Sequence, residues 1–193
     1  MLEELKNKIT LGDSLEILKQ LPDKCIDLVL TDPPYGISCD GGSYGLGVKP
    51  KETTKKGWDD KIPDKIYFDE MFRVSKNQII FGGNYFTEYL KPTKAWIVWD
   101  KIGNLQLQNN FSQCELIWTS LKTVTKKITF IQQGFINDDK NENKFRFHPT
   151  QKPVKLFEQI LRDYVGTAGG GASNSRFLLG FGNNGGRLLE LGA

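Results

Sequence analysis

The chain is poor in the residues that bind metals or build cross-links. Its 193 residues include one histidine and three widely spaced cysteines, Cys25, Cys39 and Cys114, with no Cys-x-x-Cys pair. That scarcity argues against a structural zinc site and a disulfide framework, so the expectation is no metal and reduced thiols in a cytoplasmic protein. No apolar run approaches the ~18 residues needed to cross a bilayer, which leaves no membrane partner to expect. The opening MLEELKNKITLGD has neither a cationic nor an apolar leader region, so no secretory signal is expected. Charge of one sign is scarce as well. The 26 basic and 23 acidic residues leave a net +3, too little by itself to announce a polyanionic partner.

What is present is the composition of one globular domain: 38% hydrophobic and 25% charged residues, in a chain long enough to bury a core. Strand-like and helix-like segments alternate. Residues 8–11 read as a short strand, and Ser14 can cap a helix carrying Leu15, Ile17, Leu18 and Leu21. The run 26–30 (IDLVL) reads as a strand covered on both faces. A polar, Gly- and Lys-rich stretch from Ser38 to Trp58 reads as a long binding loop. A helix over 66–74, a strand over 78–81, a short helix near 85–90 and strands at 95–99, 114–119 and 123–131 come next. Pro153 suits the first position of a helix with Val154, Leu156, Phe157, Ile160 and Leu161 as its apolar face. Alternation of this kind predicts an α/β fold with an open, mostly parallel sheet, whose ligands bind beyond the carboxyl ends of the strands. Between Thr119 and Lys155, eight Lys/Arg stand against three Asp/Glu, interleaved with Phe130, Phe135, Phe145 and Phe147. That pattern suits a phosphate backbone and exposed bases, and equally a solvated hairpin face. The tail 166–193 holds nine of the 20 glycines and reads as a ligand loop or a loosely specified end, with 177–179 and 188–191 apolar enough for short strands.

The chemistry-bearing string is Thr31-Asp32-Pro33-Pro34-Tyr35-Gly36, directly after IDLVL. The prolines stiffen the backbone and leave carbonyls as acceptors. Asp32 adds a carboxylate and Tyr35 an aromatic face. Acceptors beside a stacking surface suit the exocyclic amine of a flat heterocycle. Asp-Pro-Pro-Tyr is expected by chance in about one chain of this length in a thousand.

This string resembles the catalytic motif of the S-adenosylmethionine-dependent DNA amino-methyltransferases, and other segments match in order. Leu11-Gly12-Asp13-Ser14 is similar to the element near the cofactor's adenine. Residues 81–86 (FGGNYF) and 96–101 (WIVWDK) are similar to the next two strand ends. His148-Pro149-Thr150-Gln151-Lys152-Pro153 is similar to the segment before the helix beside the cofactor's methionine part. The order, with HPTQKP late, is that of the β-group. The resemblance spans about Lys8 to Tyr164 and implies a Rossmann-like methyltransferase sheet in a single domain, mostly parallel with an antiparallel hairpin. In it, 121–147 would be a small target-recognition insertion and 166–193 an atypical Gly-rich tail.

The resemblance further implies that Asp32, Pro33, Pro34 and Tyr35 are catalytic. Asp13, Asp32, His148, Thr150, Gln151 and Lys152 would bind S-adenosylmethionine, with Lys152 on the cofactor's carboxylate. It places Trp58-Asp59 near the site and implies double-stranded DNA as partner, the target base being flipped out; a homodimer and a cognate restriction enzyme are compatible with it. The aspartate favours adenine N6 over cytosine N4, RNA or a protein amide. The sequence departs from the family after the HPTQKP helix, where D-x-F-x-G-S-G is expected. Gly171-Ala172-Ser173-Asn174-Ser175 only echoes that loop, and Glu190 is the one candidate for the ribose acid. A divergent tail and a truncated or frame-altered one fit equally, and either weakens cofactor binding. A non-catalytic DNA-binding remnant is therefore the rival expectation.

Overall fold

The computed structural model describes residues 10, 12–38, 57–106, 111–133, 136–139, 151–165, 177–181 and 190–192. In chain order these form α1 (Ser14–Lys19), β1 (Ile26–Asp32), α2 (Lys65–Val74), β2 (Ser75–Phe81), a 3-10 turn (Gly83–Tyr85), β3 (Trp96–Asp100), β4 (Cys114–Thr119) and β5 (Lys126–Thr129). After them come β6 (Gln132–Gln133), β7 (Ile136–Asn137), α3 (Val154–Val165), β8 (Phe177–Phe181) and β9 (Glu190–Gly192).

Seven strands build one sheet in the order β5-β3-β4-β2-β1-β8-β9, while β6 and β7 make a separate two-stranded ribbon. The sheet is mixed. β1 pairs parallel with β2 and β8, and β3 with β5, whereas β2–β4, β3–β4 and β8–β9 are antiparallel. It is the α/β architecture the alternation predicts and the Rossmann-like sheet the resemblance implies, but it is not mostly parallel: three of its six described strand pairings are antiparallel.

Strand alternation sends successive side chains to opposite faces, and each face is covered by helix. Leu28 and Leu30 of β1 join Ile79, Phe81, Ile97 and Ile117 in a cluster closed by Leu156, Phe157, Ile160 and Tyr164 of α3. Val29 and Ile80 point the other way, onto Leu18, Phe68, Met71 and Val74 of α1 and α2. Full burial of such side chains contributes about 1.5–3 kcal/mol each, so the sheet centre around β1 is the best-anchored part of the molecule. Of the three tryptophans whose strand positions suggest core, Trp99 and Trp118 are buried, while Trp96 is only partly buried against it.

Several local expectations change. Asp13, not Ser14, is the N-cap of α1, because its carboxylate accepts the Leu15 N–H at 2.8 Å. The helix expected near Tyr85–Leu90 is absent: a 3-10 turn over Gly83–Tyr85, entered through Gly82 at φ +64, leads into non-helical turn. Val154 is 54% exposed, because at about 100° per residue it falls outside the arc set by Leu156, Phe157, Ile160 and Tyr164. Within 121–147, β5 is an edge of the main sheet, and Leu121, Ile128 and Phe130 are buried. Phe130 is therefore not available to stack on a base. Phe135, Phe145 and Phe147, most of the strand expected at 8–11 and most of the loop 38–58 lie outside the described residues. Among the described residues no helix is long and apolar enough to cross a membrane.

Candidate active site

β1 lies between β2 and β8 with all three parallel, so its carboxyl end opens where the sheet grows in both directions. In open α/β sheets that is where ligands bind. Asp32 is the last residue of β1. The chain then turns through Pro33 and Pro34, which cannot extend the ladder.

Asp59 fixes the end of this turn. It is 2% exposed, and its Oδ1 accepts the backbone N–H of both Tyr35 (2.8 Å) and Gly36 (2.9 Å). Its carbonyl accepts the Ser38 N–H at 2.8 Å. Gly36 has φ +70, and a Cβ there would lie 2.9 Å from the Ile62 nitrogen, so the turn requires glycine. Asp59→Ala leaves two backbone donors without their acceptor, at about 1–3 kcal/mol each when buried. The expected loss is roughly 2–4 kcal/mol, read as a fall in Tm of about 5–12 °C. Asp59→Asn keeps an acceptor oxygen and should lose less than half of that. Equal losses in the two variants by thermal unfolding would contradict the clamp.

Around Asp32 the fold gathers four polar side chains from four parts of the chain. The Tyr35 hydroxyl donates to Asp32 Oδ1 at 2.7 Å, and Lys152 Nζ lies 3.1 Å from Asp32 Oδ2. Glu115, on β4, stands beside both. Its Oε2 is 3.4 Å from Lys152 Nζ and 3.4 Å from the Tyr35 hydroxyl, and its Oε1 meets Lys101 Nζ at 3.2 Å. The Lys152 ammonium also sits 5.0 Å from the Tyr35 ring centroid and 5.7 Å from that of Phe81. Side-chain exposure is only 16% for Asp32, 19% for Glu115 and 9% for Lys152. The Tyr35 ring stacks on Tyr85 at 4.8 Å and meets Phe86 edge-on at 6.1 Å. Tyr85 is 40% exposed, so this aromatic pair reaches from the ion cluster to the surface.

The two acids titrate in opposite directions. Burial pushes the Asp32 carboxyl above its ordinary value, and the Lys152 charge only partly offsets that. Burial would raise Glu115 too, but it has two ammonium neighbours, Lys152 and Lys101, and together they hold it below its ordinary value. For Lys152, burial is outweighed by Asp32 and Glu115, and its ammonium is held above the usual lysine range. The Tyr35 hydroxyl is pushed well up by burial first and by the two carboxylates next, so it stays a neutral donor. The cluster thus has two charges of each sign in a site mostly closed to water.

Of the residues singled out from sequence, the structure brings Asp32, Pro33, Pro34, Tyr35, Asp59 and Lys152 to one place. Lys152 lies on the carboxylates of Asp32 and Glu115. Gln151 is its neighbour in sequence, and its carbonyl accepts from Gln132 Nε2 at 3.2 Å. Asp13 stays at the start of α1, capping it. Glu190 lies on β9 in register with Leu179. His148, Thr150 and 171–175 lie outside the described residues. Sequence reasoning missed Glu115, Lys101 and Tyr85. A lone acid inside the apolar strand CELIW was the available signal for Glu115, since such residues are seldom buried unless paired.

An aspartate and a tyrosine held beside an ammonium at a strand's carboxyl end can accept the hydrogens of an amine and position a flat ring. No family model matches the chain. Over 112 residues, 53% of this chain, it is 32% identical to the type II methyltransferase M.BamHI of Bacillus amyloliquefaciens, and it spans about a quarter (25%) of that relative's length. Two crystal structures of a candidate DNA modification methylase from Thermus thermophilus cover 79% of this chain. They show 15% and 16% identity, TM-scores of 0.39 and 0.36, and matches over 72% and 64% of their own chains. At such scores the structural likeness carries no functional argument. The sequence similarity is to the DNA methyltransferases at the level of the family.

Proposed function

We propose that the chain is the catalytic part of a DNA methyltransferase that moves a methyl group from S-adenosylmethionine to the N6 amine of a flipped-out adenine. The observation that carries this reading is the meeting of Asp32 and Tyr35 at the end of β1 with Lys152, which is 120 positions away in sequence. The likeness to M.BamHI supports the methyltransferase class.

The residues present fit the cofactor. The Lys152 ammonium, with a side chain only 9% exposed, offers a counter-charge that would hold the carboxylate of the cofactor's amino-acid end, which leaves Asp32 to the target amine. Bound S-adenosylmethionine supplies an electrophilic methyl group. Everything else falls to the chain. Asp32 and the Pro33 carbonyl accept the two hydrogens of the amine, favouring a pyramidal nitrogen with an available lone pair. The stacked Tyr35–Tyr85 pair, whose outer ring is 40% exposed, offers the aromatic face for the purine plane. The Asp32 carboxylate is the nearest base for the proton the amine releases, and burial raises its affinity for that proton. Catalysis is mostly positioning.

Incubation with labelled S-adenosylmethionine and unmethylated DNA should place label on adenine N6, identified after digestion to nucleosides. Label on cytosine N4 would transfer the reading to that base. Cofactor binding with no transfer to any DNA would sink it. The departure at 171–175 from the cofactor-loop pattern favours a second reading, a DNA-binding remnant. That reading predicts salt-dependent DNA binding by calorimetry without cofactor heat.

A further inference from the structure

Both groups that occupy the Asp32 carboxylate have the same second acceptor. Lys152 Nζ is 3.1 Å from Asp32 and 3.4 Å from Glu115 Oε2, and the Tyr35 hydroxyl is 2.7 Å from Asp32 and 3.4 Å from that same oxygen. A shift of a few tenths of an ångström would complete either bond. We propose that Glu115 is a positioning residue that takes over Lys152 and the Tyr35 hydroxyl when an amine docks, leaving the Asp32 oxygens free to accept the amine's hydrogens. This rests on the amine-acceptor role proposed for Asp32.

Three features carry it. The Lys152 side chain is 9% exposed, so an ammonium that parts from Asp32 within the site would be an unpaired buried charge and needs another anion at hand. Glu115 is that anion, and it is held in place. It pairs in register with Trp99 across β3–β4, and its other oxygen is tied to Lys101 at 3.2 Å. Lys101 is itself fixed, its N–H donating to the Gln113 carbonyl at 2.9 Å and its ammonium lying 5.8 Å from the Trp99 ring centroid. Lastly, the Lys152 and Lys101 charges together keep Glu115 ionised against its burial, so it meets Lys152 as a full carboxylate. A single ammonium shared by two acids can move between them while the cluster's net charge stays constant.

The test is Glu115→Gln, with Glu115→Asp and Lys101→Gln alongside and folding checked by circular dichroism. The first readout needs no turnover: the titration of the Asp32 carboxyl, followed by NMR on 13C-labelled aspartate. Without the neighbouring negative charge, and with Lys152 held on Asp32 alone, that carboxyl should titrate at lower pH in Glu115→Gln than in the wild type. The second is kinetic. Glu115→Gln should lower kcat about a hundredfold, the scale of a misplaced reacting group, with the KM for cofactor within twofold. Glu115→Asp should recover part of the loss, and Lys101→Gln should fall between. An unmoved Asp32 titration, or an unchanged kcat in an active wild type, would overturn the proposal. A wild type that methylates nothing would overturn the proposed function instead, and the Asp32 titration then decides the role of Glu115 alone. If Glu115→Gln fails to fold, Lys101→Gln with an unmoved Asp32 titration is the contradicting result.

Discussion

Replacing Asp32 by asparagine should reduce methyl transfer by roughly a hundredfold to a thousandfold while leaving the protein folded. The substitution preserves size and one acceptor oxygen for the Tyr35 hydroxyl but removes the charge that would meet an amine turning cationic. That is the kind of electrostatic contribution whose single-group loss has this magnitude. Folding should suffer much less. Leaving a buried charge with no partner costs about 3–5 kcal/mol, but Lys152 keeps Glu115 at 3.4 Å, so roughly 1–3 kcal/mol is expected.

The pH dependence gives an independent sign. A carboxyl raised by burial contributes stability below its unfolded value and loses it as pH rises through the folded value. The form that works on an amine is the ionised one. Activity should therefore fall as pH drops through a point above the ordinary aspartate value, and Asp32→Asn should lack that limb. A pH–rate profile whose acid limb is the same in both proteins would contradict the assignment.

The second large effect lies outside the motif. Gly82→Ala should unfold or inactivate the protein, with a stability loss of about 2–5 kcal/mol. Gly82 has φ +64, a left-handed conformation that costs an L-residue roughly 1–2 kcal/mol. A Cβ there would also overlap the Tyr35 ring, on top of which overpacking adds about 1–3 kcal/mol. The ring has little room to yield, since its hydroxyl is bound to Asp32 and its face is stacked on Tyr85. Any variant that does fold should carry a displaced Tyr35, and a shift near 1 Å at a reacting group lowers rate about a hundredfold. Denaturant unfolding and methyl transfer should fall together. Wild-type stability in Gly82→Ala would show that Tyr35 does not lie on that glycine.

Much of the frame is legible in the sequence. Apart from 8–11, mostly outside the described residues, and the helix expected at 85–90, the elements up to Thr119 lie where apolar periodicity puts them, and Cys114–Thr119 is a strand over the residues the pattern predicts. The differences lie where local signals compete. Asp13 and Ser14 are both good caps, and only the hydrogen bond to Leu15 separates them. The segment 85–90 has helical composition, but Gly82 and Gly83 set a tight turn first. Phe130 reads as a surface aromatic among lysines, yet the pairing of β5 with β3 turns it inward.

From the sequence alone came the carboxylate, the phenol and the rigid proline corner at a strand's end, because those depend on neighbours along the chain. Tertiary structure decided what surrounds them. Lys152 reaches Asp32 across 120 positions, Glu115 arrives on an antiparallel strand, Asp59 clamps the turn from beyond the long polar stretch, and Tyr85 backs the ring. Long-range charge pairing leaves no periodic trace in a sequence, since a buried lysine and a solvated one are written with the same letter. Only the folded sheet supplies the low-polarity setting in which such pairs become necessary.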